Sequence, residues 1–339
     1  MTSVLPAELA GRLRGRTVLI TGGLGFIGSN LAFALVDAGC DVTLVDALVS
    51  GHGGNPANVE GLDEVQVVRA DLRDSDRLAP LVERAELLFN LAGQTSHLDS
   101  MEDPFGDLKL NCGAQLALLE TCRRRNPDAR IVFAGTRQVY GRPRALPVSE
   151  EHPVEPVDVN GIHKLAAEWY HLLYGRLYGP TVSVLRLTNT YGPRMRVRDA
   201  RQTFLGIWIK QLLTGERVQI YGDGSQRRDF TYVDDAVRAL CLAVVDDAVA
   251  GEILNVGSRE PVSLLELAER LVVLNGGGAY DLVPFPPDRL AIDIGDYFAD
   301  SSKLEQRLGW SPEVELDDGL RRTLEYFRVH GERYWGGAE

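Results

Sequence analysis

The chain has 339 residues, with 48 acidic against 36 basic side chains and a formal net charge of −12. That balance excludes a nucleic-acid binder, which needs a positive footprint to neutralise phosphates. A composition of 45% apolar and 25% charged residues is that of a globular protein able to bury a core without disulfide or metal staples. No apolar run reaches the roughly 18 residues that a spanning helix needs, so no membrane partner is expected.

Met1 to Arg14 carries no basic stretch ahead of an apolar run and does not read as a signal peptide. Thr17–Thr21 is a short β-branched run that reads as a buried parallel strand. Residues 27–37 follow with helical spacing, placing Ile27, Leu31, Ala34 and Leu35 on one stripe, and Gly39 supplies the stop. Further buried strands are predicted over 42–45, 65–68, 87–91, 131–134 and 182–187. Helical patterns cover 107–124, 160–177, 204–213, 234–245 and 263–274. Gly276-Gly277-Gly278 with Pro284, Pro286 and Pro287 marks a looped stretch. Strands alternating with helices predict an α/β fold, a doubly wound parallel sheet of the Rossmann type with a smaller C-terminal lobe. Cys40, Cys112, Cys122 and Cys241 form no CxxC pair, which points to free, mostly buried thiols in a reduced cytoplasmic protein and to no metal.

The first strand runs into Thr21-Gly22-Gly23-Leu24-Gly25-Phe26-Ile27-Gly28. A glycine-rich turn between strand and helix lets the backbone approach a pyrophosphate, and the helix N-terminus offers N–H donors. Gly22, Gly25, Phe26, Ile27 and Gly28 are therefore cofactor candidates. Asp46 ends the second strand, about 20 residues after the glycines, where a carboxylate accepts from both ribose hydroxyls and repels a 2′-phosphate. That favours NAD over NADP, although a carboxylate there can also cap a turn. Asp71-Leu72 and Leu91-Ala92-Gly93 end the third and fourth strands, where ligands bind in open α/β sheets. Small residues at such places also serve tight turns.

With these motifs come Val139-Tyr140-Gly141, Lys164-Leu165-Ala166-Ala167-Glu168 and Asn189-Thr190-Tyr191-Gly192-Pro193. Further on stand Gly222-Asp223-Gly224, Arg228-Asp229-Phe230-Thr231-Tyr232-Val233-Asp234-Asp235 and Leu308-Gly309-Trp310-Ser311-Pro312. Over residues 15–328 the chain resembles the extended short-chain dehydrogenase/reductase family, specifically its NAD-dependent nucleotide-sugar epimerases and dehydratases. The resemblance implies an NAD-binding domain over 15–187, with 231–256 returning to it, and a substrate-binding lobe from 188–230 and 257–330. It implies NAD held in part by Lys164, and a nucleotide-sugar substrate of the UDP, GDP, dTDP or CDP type. It also implies a homodimer joined through the helices 107–124 and 160–177. Thr136 stands where the family places a hydroxyl against the reacting sugar. Asn189 and Arg228 match diphosphate-binding positions, though Arg228 can equally pair with Asp229 or Asp234. Arg289 is a further phosphate candidate, and Arg194, Arg196, Arg198 and Arg201 form a basic segment able to close over the site.

Two positions depart from the family. A tyrosine four residues before Lys164 would supply its phenolate as base, but that residue here is Asn160, on the same helix face as Lys164. The base is then another group, with His163 placed first and His97 and Tyr140 behind it. Alternatively a water held by Asn160 and Thr136 relays the proton, or the protein binds without turning over. The second departure is Arg137-Gln138, where 4,6-dehydratases carry an Asp-Glu pair that removes water. Arg137 instead suits an anionic substrate group such as a carboxylate, or a neighbouring acid. These residues favour an epimerase that passes a hydride to NAD and back. The alternatives are a nucleotide-sugar oxidoreductase, decarboxylase or dehydratase, and a silent NAD- and nucleotide-sugar-binding protein.

Overall fold

The computed structural model describes residues 3–199 and 203–335, so Arg201 lies outside the described residues. After a short helix Ala7–Leu13, strand β1 (Thr17–Thr21) leads into the helix Phe26–Asp37 and then β2 (Asp41–Asp46). Next come β3 (Gln66–Arg69), the helix Ser75–Arg84 and β4 (Leu87–Asn90). The helix Ala114–Arg125, β5 (Arg130–Thr136), the helix Val159–Tyr178 and β6 (Thr181–Leu187) complete the run. A seventh strand, Ile253–Val256, pairs with β6. The sheet is parallel throughout, in the order Ile253–Val256, β6, β5, β4, β1, β2, β3.

Strand side chains alternate between faces, and β1 shows the result. Val18 and Ile20 enter the core shared with the helices Phe26–Asp37 and Val233–Val245, while Leu19 faces Leu78, Leu118 and Ala167 from the helices of the other face. The sheet is therefore buried on both sides, as its near-continuous apolar strands require. The chain builds outward from β1 to β3, then returns to add β4 on the other side of β1. That reversal opens a crevice at the C-terminal ends of β1 and β4.

The predicted helix over 107–124 is interrupted. A short helix Pro104–Leu108 passes through a π turn at Lys109–Gly113 before Ala114–Arg125. Within that widened turn Asn111 accepts from the Gln94 amide and donates to the Gln94 carbonyl, both at 3.1 Å, and so ties the helix to the loop after β4. The helix Ser75–Arg84 is not among the predicted elements; it is capped by Asp74, which accepts the Arg77 amide, and carries Pro80 inside it. The C-terminal lobe packs the helices Phe204–Leu213, Leu264–Asn275 and Leu316–His330 around a small parallel pair, Val218–Tyr221 with Tyr280–Val283. The Leu308–Pro312 motif is structural: Trp310 Nε1 donates to the Asp235 carbonyl at 3.0 Å, while the Asp235 carboxylate accepts the Glu313 and Val314 amides. Among the described residues no helix is long and apolar enough to cross a membrane.

Candidate active site

One cavity runs along the C-terminal ends of β1, β2, β4 and β5 and is lined by Gly22, Gly25, Phe26, Ile27, Gly28, Asp46, Asp71, Leu72, Leu91, Ala92, Gly93 and Lys164. At its floor the glycines are needed for close approach. Gly22 has φ +67, and a Cβ on it would meet the Leu91–Ala92 backbone at 2.9 Å; one on Gly28 would lie 2.3 Å from the Gly22 carbonyl. The helix Phe26–Asp37 begins at Gly25 with no side-chain cap and no acid in its first turn. Its first amides therefore face the cavity free to bind an anion.

Asp46 accepts from the Leu24 amide at 3.1 Å and the Leu48 amide at 2.9 Å. Burial raises its carboxyl above the ordinary value while these two amides oppose the rise. Asp71 is gripped by the Arg73 guanidinium at 2.8 and 2.6 Å, and that grip lowers its carboxyl. An uncapped helix end, a glycine cradle and a carboxylate at the end of β2 fit an adenine dinucleotide.

A buried polar chain supports the turn after β4. Thr21 donates to Asn90 at 2.7 Å, Asn90 donates to Gln115 at 2.6 Å, and Gln115 donates to the Ala92 carbonyl at 2.9 Å. His171 lies 2.9 Å from Asn90, stacks on Phe133, and is pushed down to about 4 by burial, so it stays neutral. The sequence reading missed these residues. Their signal is polar side chains in otherwise apolar elements.

The remaining wall holds Thr95, His97, Thr136, Arg137, Gln138, Asn160, Thr188 and Asn189. Thr136 ends β5 and its Oγ1 accepts from the Gln138 amide at 3.2 Å. Lys164 is 7% exposed and reaches Gly93, where an added Cβ would lie 2.5 Å from its Nζ. Burial lowers the ammonium to about 8, against the raising effect of Asp107. Asn160 is fully buried. Its Nδ2 donates to the Gln94 carbonyl, Gln94 Oε1 and Asp107 Oδ2 at 2.9–3.0 Å, and its Oδ1 has no partner. Asn189 donates to the Asp229 carbonyl at 2.9 Å.

Arg137 is partly buried over the Tyr297 ring, 5.1 Å from its centroid. Among the described residues its guanidinium has no ion-paired or hydrogen-bonded partner beyond that ring. Burial lowers its affinity for the proton, while Tyr297, Asp229, Asp158 and Asp293 raise it.

Four named candidates stand off this wall. His163, placed first as base from sequence, has Nδ1 2.7 Å from the buried Asp107 Oδ1 and does not line the cavity, because its helix turns it toward the Asp107 side. Tyr140 is fully buried, donates to Asn255 at 2.7 Å and is pushed up to about 12 by burial. Arg228 also lies outside the lining: it donates to the Arg227 and Gly295 carbonyls and sits 3.9 Å from Asp293. Arg289 rests over the Tyr221 ring in the lobe, again off the cavity wall.

Comparison with known proteins agrees with this geometry. The profile described as NAD dependent epimerase/dehydratase family matches residues 18–257. The chain is 35% identical over 311 residues to a UDP-glucose 4-epimerase of Mycolicibacterium smegmatis, covering 91% of this chain and 98% of that one. It is 32% identical over 332 residues to UDP-glucuronic acid decarboxylase 1 of Xenopus tropicalis, covering 95% and 75%. The solved UDP-glucuronic acid 4-epimerase of Bacillus cereus, in complex with UDP-glucuronic acid and NAD, superposes with a TM-score of 0.81 at 29% identity, over 92% of this chain and 99% of that one.

Proposed function

Because the chain belongs to the NAD dependent epimerase/dehydratase family, we propose that it is a nucleotide-sugar epimerase that oxidises one sugar carbon transiently and reduces it again. The observation that carries this reading is the joining of the dinucleotide cradle to Thr136, Asn189 and Lys164 along one cavity, with Arg137 and Gln138 beside Thr136. No carboxyl stands at positions 137 and 138 to protonate a leaving hydroxyl, so the site suits inversion better than loss of water. NAD, when bound, supplies a hydride acceptor that returns what it takes.

The chain's own residues do the rest. The glycine turn and the Phe26–Asp37 N-terminus bind the pyrophosphate, Asp46 accepts from the adenosine ribose, and the Leu91–Gly93 turn packs against the dinucleotide. Lys164 holds the nicotinamide ribose. Thr136 orients the reacting hydroxyl, and Asn189 meets the diphosphate. Arg228 and Arg289 would need to turn inward to reach that diphosphate. Arg137, a cavity-lining guanidinium with no paired anion, favours a sugar that bears a carboxylate. That same feature supports decarboxylation as the second reading. A silent binder is the third, because Asn160 cannot replace a phenolate. Incubation with UDP-, GDP-, dTDP- and CDP-sugars, acidic sugars included, should give an epimer without added dinucleotide. Loss of carbon dioxide would favour decarboxylation, and unchanged sugar throughout would favour the binder.

The protein is further read as a homodimer in the cytoplasm. Ile162, Trp169, Leu173 and Leu177 form an exposed apolar stripe on the helix Val159–Tyr178, with Leu116 beside it on Ala114–Arg125. Trp169, 56% exposed, would be buried against a second copy. Trp169→Glu should convert the dimer into monomer on light scattering; a wild type that is already monomeric would contradict the pairing. The four free cysteines agree with a reducing compartment.

A further inference from the structure

We propose that His97, oriented by Asp158, is the group that takes and returns the proton of the reacting sugar hydroxyl; this rests on the epimerase reading above. His97 opens the short helix His97–Glu102 and lines the cavity together with Thr136, Gln138, Asn160 and Lys164. Its Nδ1 is hydrogen-bonded to Asp158 Oδ2. The imidazole side chain is 37% exposed, whereas the Asp158 side chain is 2% exposed. Asp158 is itself fixed, because its Oδ1 caps the helix Val159–Tyr178 by accepting the Gly161 amide at 2.7 Å. One carboxylate thus links the start of the Lys164 helix to the histidine ring.

Burial pushes the Asp158 carboxyl up, but the His97 hydrogen bond, the Gly161 amide and Arg137 hold it below its ordinary value, so it is an anion at neutral pH. An anion at Nδ1 keeps the ring proton there and leaves the lone pair on Nε2. Gln138 Nε2 stands 2.5 Å from that Nε2, and the Gln138 backbone amide donates to Thr136 Oγ1. The lone pair therefore faces a donor at the Thr136 end of the cavity, where a sugar hydroxyl can replace the Gln138 side-chain amide. In the forward step the hydroxyl proton passes to His97 Nε2, the carbon's hydrogen leaves as hydride to the bound dinucleotide, and the C=O bond forms. In the return step the same hydride adds to the opposite face of the C=O carbon while His97 Nε2 gives its proton back to the oxygen, so the carbon is inverted and no proton or electron is consumed.

Asn160 does not compete for this role. Its Nδ2 is already shared among three acceptors, and its Oδ1 can only accept a hydrogen bond. His163 has an equivalent carboxylate partner in Asp107, but it stands off the cavity wall.

Three variants test the assignment. His97→Asn keeps a donor toward Asp158 without a base, and His97→Ala leaves room for free imidazole. The readouts are the absorbance of reduced nicotinamide after mixing with the sugar nucleotide, sugar-nucleotide affinity by calorimetry, and the melting temperature. Loss of a positioned acid–base group should slow reduction in His97→Asn by about 10²–10⁴-fold, with affinity and melting temperature close to wild type. Imidazole should restore the rate of His97→Ala. Asp158→Asn should lower kcat with little change in KM, because its amide forces the other ring tautomer. A His97→Asn rate close to wild type, or a slow His97→Ala that imidazole leaves slow, would overturn the assignment. A wild type that binds the sugar nucleotide yet never reduces the dinucleotide overturns the epimerase reading as well, and its flat wild-type trace distinguishes that result.

Discussion

Lys164→Met is expected to raise the melting temperature while lowering turnover by about 10²-fold or more, the usual effect of removing a preorganised charge from an active site. Both halves follow from one fact: the ammonium is 7% exposed and burial lowers it from 10.5 to about 8. Between those two values the folded protein binds fewer protons at this site than the unfolded chain does. Stability therefore rises with pH through that window, and below it the buried charge costs on the order of 3 kcal/mol. Methionine fills the same space without the charge. The variant should be the more stable protein at pH 7, with the gap closing as pH rises through 8 toward 10.5. Paired thermal melts and turnover assays at several pH values check this. A variant less stable than wild type at pH 7, or one that turns over normally, would contradict it.

Glu168→Gln should act in the opposite direction, destabilising the fold by about 3–5 kcal/mol, as expected when one partner of a buried ion pair is removed. The Glu168 side chain is 0% exposed and that of Arg186 is 3% exposed. The two meet in a bidentate pair at 2.9 and 2.6 Å, and the Arg186 guanidinium lies 4.6 Å from the centre of the Tyr140 ring. Burial works against the Arg186 charge, but the Glu168 bonds outweigh it and raise its hold on the proton. Neutralising Glu168 leaves that charge without a counter-ion between β6 and the helix Val159–Tyr178. The double change Glu168→Leu with Arg186→Met should recover most of the loss, because two well-packed apolar side chains carry no desolvation cost. Denaturant titration of the three proteins gives the comparison. A single variant within about 0.5 kcal/mol of wild type would show that the pair is not structural.

Much of this architecture is legible in the sequence because the elements that build it have strong local signals. The run Thr17–Thr21 marks a strand and the glycines after it a close-packed turn, through backbone requirements that few residue types satisfy, and Asp46 marks the end of the next strand. The glycine turn and Asp46 meet in the cavity. The π turn at Lys109–Gly113 was not legible, because it answers to Asn111 bonding a loop 17 residues away. The same limit governs the base. His97 and Asp158 are 61 positions apart in the chain, and only the packing of the helix Val159–Tyr178 against the loop after β4 joins them. His163 attracted attention through its position next to Lys164. Adjacent residues on a helix point about 100° apart, so the neighbour of a cavity residue turns away from the cavity.

The proposed epimerase chemistry requires the hydride taken from a sugar carbon to return to the same carbon. The most direct test uses nucleotide sugars deuterated on the ring carbons and purified protein with no added dinucleotide. The expected product is an epimer that retains its deuterium. Sugar recovered unchanged, or an epimer whose deuterium has been exchanged for solvent hydrogen, would contradict it.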